Sequence, residues 1–155
     1  MLNSSQACIE INGIQTDLLI QPFADRIFVQ VTQLGKVGNL VQVSIPSTAL
    51  LTSSGVSNSS GLALPTPPAA IQLTPLFGSA SSEHLRSLHS LYAAQIATLV
   101  WCAEGQAPGP DRRSVIVGIA LRPSMQTVEE GFDGHERKTF QGIMQALANM
   151  LNRVA

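Results

Sequence analysis

The stretch that decides the fold is Val31-Thr32-Gln33-Leu34-Gly35-Lys36-Val37-Gly38-Asn39-Leu40. Aliphatic residues recur at every second position in residues 25–33, which places Ile27, Val29 and Val31 on one face of a strand and Phe28, Gln30 and Thr32 on the other. An extended pattern resumes in residues 40–45. Because Gly35 and Gly38 frame a short connection between these two segments, the sequence predicts a β-hairpin with a rigid, nearly uncharged tip that carries one lysine.

A first hairpin is predicted upstream of this stretch. Its two strands flank Asn12-Gly13, a dipeptide that tolerates the positive φ angles of a two-residue turn. The alternating residues are Ile9, Ile11, Ile14, Thr16, Leu18 and Ile20. With the segments at 25–33 and 39–45, the short connections predict an antiparallel meander of four strands. Residues 71–77 are predicted to add a short strand, which Pro75 restricts to an edge or a bulge.

Two helices are expected in the second half of the chain. The first covers about residues 82–103, with Ser81 or Ser82 as its N-cap and Gly105 as its stop. Its apolar stripe is Leu85, Leu88, Tyr92, Ile96, Leu99 and Ala103. The second helix follows Asp133-Gly134-His135-Glu136, a pattern similar to a capping box. Its apolar stripe is Phe140, Ile143, Met144, Leu147, Leu151 and Val154.

Residues 115–121 form a strand-like run that is apolar on both faces. Such a strand is either central and covered on both sides, or packed on a helix and on a dimer partner. The predicted fold class is therefore α+β: a mostly antiparallel sheet of about six strands with two main helices packed on it. The chain, residues 1–155, is expected to form a single domain.

The middle of the chain has an unusual composition. No Asp, Glu, Lys or Arg occurs between Lys36 and Glu83, and residues 47–70 are rich in Ser, Thr, Gly and Pro. One interpretation is a flexible, low-complexity surface loop. The other is a segment that becomes ordered against a partner, because the cores of interfaces are depleted of charge. Its candidate anchors are Leu50, Leu51, Leu62 and Leu64.

The overall composition narrows the classes of partner and the compartment. A net charge of -1 with 12% charged residues argues against binding to nucleic acid or to an anionic membrane. Residues 1–7 have no basic start, and no apolar run follows them, so no signal peptide is expected. Cys8 and Cys102 are too few to staple a secreted fold. We therefore expect a soluble protein in a reducing compartment, the cytoplasm.

The sequence contains no convincing catalytic pattern. Gly35-Lys36 resembles the end of a phosphate-binding loop, but the required flanking residues are replaced by Gln30 and Val37. His84 and His89 are five positions apart on a helix, so their side chains diverge and cannot share a metal ion. We therefore expect a protein that is not an enzyme, with no catalytic residues, no cofactor and no metal.

A family resemblance points to a role in assembly. Residues 16–20, Phe23 and residues 27–41 resemble the proteasome assembly chaperone 3 family. Its members carry an extended segment ending in Val-Thr-Gln, an apolar residue, Gly-Lys, an apolar residue, Gly and then Leu-Val. The later strand and helix patterns follow in that family's order, whereas residues 47–70 and 122–134 are longer than in its animal members.

The resemblance implies a non-catalytic protein that acts without ATP. Members of the family form a heterodimer with a second assembly chaperone of related fold, the fourth of the set; a homodimer is possible in isolation. The pair binds proteasome alpha subunits, chiefly the fifth, during alpha-ring formation, and leaves as beta subunits join. The resemblance also implies a cytoplasmic location that can extend to the nucleus.

The same block supplies the candidate partner-binding residues. They are Gln33, Gly35, Lys36, Gly38 and Asn39. In one interpretation this tip contacts an alpha subunit, with Lys36 facing an acidic group. In the other, the glycines serve only the turn geometry and Lys36 keeps the tip soluble. A different class of function also stays open, that of a roadblock-like or longin-like adaptor for GTPase regulation, which shares the architecture but lacks the block.

Overall fold

A computed structural model describes residues 2–51, 56–57, 63–105, 112–122 and 134–154. The elements in these residues are β1 (Ser5–Ile11), β2 (Ile14–Pro22), β3 (Arg26–Thr32), β4 (Asn39–Ser44), β5 (Val56–Ser57), β6 (Ala63–Leu64), β7 (Gln72–Phe77), α1 (Glu83–Glu104), β8 (Ser114–Ala120) and α2 (Gly134–Val154). The strands β5 and β6 pair only with each other, and the remaining six form one sheet. The predicted α+β class with two helices is confirmed.

The first hairpin forms as the sequence predicts. Ile11 pairs with Ile14, and the two turn residues Asn12 and Gly13 have φ angles of 53° and 76°. These positive angles match the right-handed twist of the flanking strands. Strand β3 then pairs antiparallel with β2, so the first three strands form the predicted meander.

The predicted hairpin between β3 and β4 is wrong, and with it the fourth strand of the meander. The strand order is β1-β2-β3-β8-β4-β7, so β8 lies between β3 and β4. It runs parallel to β3 and antiparallel to β4. Alternation of side chains along a strand specifies which face is buried, but it does not specify which strand is the neighbour. An apolar strand such as β8 is most stable in the centre of the sheet, where both of its backbone edges are paired.

Strand β7 lies at the edge of the sheet, as Pro75 predicts. The ladder between β4 and β7 shifts between Leu40 and Val41, because Leu40 is opposite Phe77 whereas Val41 is opposite Pro75. Leu76 is therefore an extra residue without a partner in the ladder. The strand has both an edge position and a bulge.

The two helices pack side by side on one face of the sheet. Helix α2 contacts β1, helix α1 contacts β8 and β4, and the helices contact each other. The predicted ends of α1 are confirmed: the Ser82 hydroxyl accepts a hydrogen bond from the Leu85 amide at 3.2 Å, and the Gly105 amide donates to the Trp101 carbonyl at 3.2 Å. Asp133, the predicted first residue of the second capping pattern, is outside the described residues. In the part of the chain that the structure describes, no helix is long and apolar enough to span a bilayer.

Described parts of the middle segment contact the domain itself. Leu51 is buried in the core, whereas Leu50 is exposed. The Gln95 side chain on α1 donates a hydrogen bond of 2.8 Å to the Pro65 carbonyl. Leu64 is half-buried, and Leu62 lies outside the described residues. The hydrogen bond from Gln95 therefore joins the described part of the segment to the second half of α1.

Candidate functional site

The face of the sheet that points away from the helices is the first candidate surface, and we call it the open face. In β8, Val115, Val117 and Ile119 are buried among the core residues beneath the helices. Alternate residues of a strand point to opposite faces, so Ile116 and Gly118 belong to the open face. Within the described residues, no helix packs on this side of the sheet.

Strand register aligns the open-face side chains in two rows across five strands. One row is Leu19, Gln30, Gly118, Leu40 and Phe77. The next row is Gln21, Phe28, Ile116, Gln42 and Thr74. None of these ten residues is charged, and half of them are large apolar residues. Since the cores of protein interfaces are apolar and poor in charge, this composition is typical of a surface that another protein covers.

The open face has a shallow depression over β1, β2 and β3. Its volume is about 470 Å³, and its lining includes Gln6, Cys8, Asp17, Gln30 and Thr32. A hydrogen bond with Asp17 raises the pKa of the Cys8 thiol, with burial as a smaller contribution in the same direction. A thiol whose pKa is raised is a poor nucleophile at neutral pH, so Cys8 contributes shape rather than reactivity.

The connection between β3 and β4, residues 33–38, passes over the carboxyl end of β8, and we call it the crossover loop. Its backbone is held by side chains of β3. The Thr32 hydroxyl accepts hydrogen bonds from the amides of Leu34 and Lys36, both at 3.2 Å. The Gln30 side chain donates to the Lys36 carbonyl at 2.9 Å. The loop is therefore preorganised, as the predicted rigid tip requires, although it does not close a hairpin.

Gln33, a predicted contact residue, is buried. Its backbone amide donates a hydrogen bond to the Ala120 carbonyl at 2.7 Å. Its side-chain nitrogen donates to the Thr16 hydroxyl at 3.1 Å, and its side-chain oxygen accepts from the Arg122 amide at 3.0 Å. These bonds tie the loop to β2 and to the end of β8, so the Gln33 side chain serves to hold the loop in place.

The two glycines of the loop have different reasons to be glycine. Both have positive φ angles, 67° for Gly35 and 68° for Gly38. A Cβ atom on Gly38 would lie 2.2 Å from the Ile119 carbonyl oxygen, whereas a Cβ atom on Gly35 would meet nothing within 4 Å. Gly38 is thus required by the close approach of β8, and Gly35 only by its backbone angle.

The crossover loop exposes a cation between two apolar side chains. Lys36 is exposed, and Leu34 and Val37 are 43% and 44% exposed. Sequence reasoning selected Lys36 but missed the two apolar residues, although their position on either side of a lone lysine in a glycine-framed connection was a usable signal. Together they form a compact surface that suits an acidic group surrounded by apolar atoms.

Asn39, the last of the predicted site residues, points elsewhere. Its side-chain nitrogen donates to Nδ1 of His89 on α1 at 3.0 Å. Burial lowers the pKa of His89. Asn39 therefore links the start of β4 to the helical layer, and it is separate from the exposed part of the crossover loop.

The histidines lie near the contact between the two helices, where His89, His135 and Glu136 line one small cavity. His84 lies 2.8 Å from Glu136 on α2, and His89 contacts Asn39. Among the described residues, no three His, Cys, Asp or Glu side chains come together as a metal site. Burial also raises the pKa of the Cys102 thiol, which disfavours a nucleophilic thiolate there.

Comparisons with known proteins add one finding about the fold. No protein-family model matches the chain. No curated protein matches it in sequence. In structure, the chain is similar to a chain of a chaperone complex for yeast 20S proteasome assembly, with a TM-score of 0.50 and 11% identity, over 97% of this chain and 99% of that chain. At this identity the likeness shows a shared fold: the sheet with two helices described above is also the fold of a proteasome assembly chaperone.

Proposed function

We propose that this protein is a non-catalytic chaperone for assembly of the proteasome core particle. The observation that carries the proposal is the pair of uncharged rows across the open face, on a fold shared with a yeast assembly chaperone chain. We infer that the open face pairs with a second assembly chaperone in a heterodimer, or with another copy when that partner is absent. The pair binds alpha subunits, chiefly the fifth, during alpha-ring formation in the cytoplasm or nucleus, and beta subunits displace it.

The size of the open face suits a complex that must later come apart. Six strands spaced about 4.8 Å apart give a width of roughly 24 Å, and strands of six residues are about 20 Å long. A flat surface of this size, roughly 480 Å², is smaller than the area of about 800 Å² that each partner buries in a standard stable interface. Most of the favourable free energy of pairing would come from Leu19, Phe28 and Ile116, because their apolar atoms are removed from water.

The crossover loop is the proposed contact with an alpha subunit. Lys36 provides the charge that meets an acidic group, and Leu34 and Val37 supply apolar area around it. Gly35 allows the loop its shape, whereas Gln33 and Gly38 hold it against β8. A preorganised loop loses little conformational entropy on binding, which favours affinity from a small contact.

The test is affinity purification of the tagged chain from its own cells, followed by mass spectrometry. We expect alpha subunits, a second small chaperone and few mature beta subunits. Recovery of small GTPases or trafficking complexes in their place would contradict the proposal and favour the adaptor class of function.

Two variants separate the two proposed contacts. Gln42→Lys places a charge in the middle of an open-face row, and we expect it to lose the second chaperone. Its matched control is Gln145→Lys, because Gln145 is exposed on α2, on the other side of the domain. Lys36→Glu is expected to keep the second chaperone and lose the alpha subunits. Capture of alpha subunits by Lys36→Glu at the level of the unmodified protein would exclude the contact role of the crossover loop.

A further inference from the structure

A second surface lies where the edge strand β7 meets the start of α1, and we call it the edge groove. Its volume is about 170 Å³, and its lining includes Leu40, Leu73, Phe77, Arg86 and His89. Arg86 and His89 belong to α1, so the groove opens mainly on the helical side of the sheet. The crossover loop does not line it.

The bulge in β7 leaves apolar side chains exposed beside the groove. Leu76 has no partner in the ladder and is 47% exposed, and Phe77 is 68% exposed. Pro75 has no amide hydrogen to donate, so the outer edge of β7 is a poor template for an added strand. Recognition at this edge therefore depends on side chains rather than on extension of the sheet.

The charge of the groove is positive. Arg86 is the only residue with a full charge among its lining residues. Its side chain is exposed and makes no ion pair with any other described residue. The groove also lies beside the start of α1, where the amide groups of the first turn carry partial positive charge. An apolar floor with a single cation at its rim is complementary to an apolar side chain followed by a carboxylate.

We propose that the edge groove binds an extended segment of a partner protein in which an apolar side chain is followed by acidic residues. The apolar side chain packs on Leu73 and Phe77, and the carboxylate pairs with Arg86. This goes beyond the proposed pairing on the open face. Leu40 and Phe77 border both surfaces, whereas Arg86 and His89 on α1 belong to the groove and not to the open face, so a variant at Arg86 tests the groove separately from the open face.

The experiment is a titration of the full-length, isotope-labelled protein, followed by NMR, with two short peptides. One peptide contains leucine and phenylalanine followed by two aspartates, and in the other the aspartates are replaced by lysines. We expect the acidic peptide to shift the amide signals of Leu73, Arg86 and His89, with a Kd at least about tenfold lower than that of the basic peptide. Equal affinity for the two peptides, or shifts confined to other surfaces, would overturn the proposal.

Charge and apolar contributions are tested with two variants and one control. Arg86→Glu is expected to reverse the preference between the peptides, and Phe77→Ser to weaken binding of both. Arg153→Glu is the matched control, since Arg153 is an exposed cation in the last turn of α2, and we expect it to leave the preference unchanged. Because Arg86 is exposed, its replacement leaves the core intact, and a thermal melt checks the fold. An unchanged preference in Arg86→Glu would remove the basis of the proposal.

Discussion

The two faces of the sheet are made by the same strands and have opposite composition. On the covered face, Ile27, Val29 and Val117 are fully buried beneath the helices. On the open face, the residues that alternate with them, such as Phe28 and Ile116, are half-buried and lie among glutamines. One set of side chains stabilises the domain, and the other is available to a partner. A single strand can therefore carry a folding function and an association function at alternate positions.

The glutamines explain how the open face can be both soluble and ready to associate. Gln21 and Gln30 use part of their amide groups for hydrogen bonds within the domain. The remaining donors and acceptors, with the amide of Gln42, are of the kind that bonds with water or with a partner. An uncharged amide costs much less to remove from water than an ion does. A face of this kind stays hydrated in the free protein, and removing its water when a partner covers it costs little free energy.

The largest effect in this comparison is expected from the covered face. Ile27→Ala should lower the free energy of unfolding by about 3 kcal/mol, because it leaves a cavity in a close-packed core. Phe28→Ala, one position along the strand, should cost only about 1 kcal/mol, since its side chain is already partly in water. Urea denaturation measures both.

Capture of the second chaperone should show the opposite order. We expect Phe28→Ala to weaken it strongly, and Ile27→Ala to leave it unchanged at a temperature where the variant is folded. Similar losses of capture in both variants would mean that the two faces are not separate in function.

The next largest effect on stability is expected from the two glycines of the crossover loop. Gly38→Ala should destabilise the protein by about 3 kcal/mol, because its Cβ atom would overlap the Ile119 carbonyl and the backbone of β8 would have to move. Gly35→Ala should cost about 1 kcal/mol, which is the penalty of a positive φ angle alone. Thermal denaturation distinguishes the two variants. Equal losses of stability would show that the close approach of β8 does not restrict the residue at position 38.

A smaller effect is expected at the base of the loop. Thr32→Val keeps the volume but removes the hydroxyl that accepts two amides. We expect hydrogen exchange at Leu34 and Lys36 to accelerate by about tenfold, which corresponds to about 1.4 kcal/mol of local stability. Exchange in the first hairpin, at Gln15 for example, serves as the internal control. Unchanged exchange at both loop amides would contradict the hydroxyl's role.

The smallest effect concerns pH. Burial lowers the pKa of His89, so the folded state takes up a proton less readily than the unfolded chain. The unfolded state then binds more protons in acid, and stability falls as the pH drops below about 6.5, the ordinary value for histidine. His89→Gln should remove this part of the pH dependence of Tm. Measurement of Tm between about pH 7.5 and pH 5 for both proteins gives the difference, and parallel curves would exclude a contribution from His89.

Much of the local structure could be predicted from the sequence. The Asn12-Gly13 turn, the Ser82 cap and the Gly105 stop depend on the backbone preferences of one or two residues, and such preferences act without the rest of the fold. The edge position of β7 also followed from Pro75 alone. The candidate site was predicted only in part: Lys36 and Gly35 are on the exposed part of the loop, whereas Gln33 and Gly38 are held against the domain.

The neighbours of each strand could not be predicted in the same way. The alternation in residues 25–33 specifies a buried face, and it is equally compatible with β4 or β8 as the next strand. Only the tertiary structure places β8 between them, because pairing depends on contacts between residues far apart in the chain. The same arrangement gives Gly38 its role, since the carbonyl that excludes a side chain there belongs to Ile119.

The sequence by itself determined the six strands of the main sheet, the two helices, the ends of α1 and the apolar face of each helix, because these follow from side-chain periodicity and local backbone preference. The tertiary structure decided the strand order, the open face and the edge groove. Phe28, Ile116 and Leu40 are distant in the sequence and become one surface only when β8 is inserted between β3 and β4. Surfaces that bind partners are built from residues that are distant in the chain, and local sequence patterns do not predict which of these residues become neighbours.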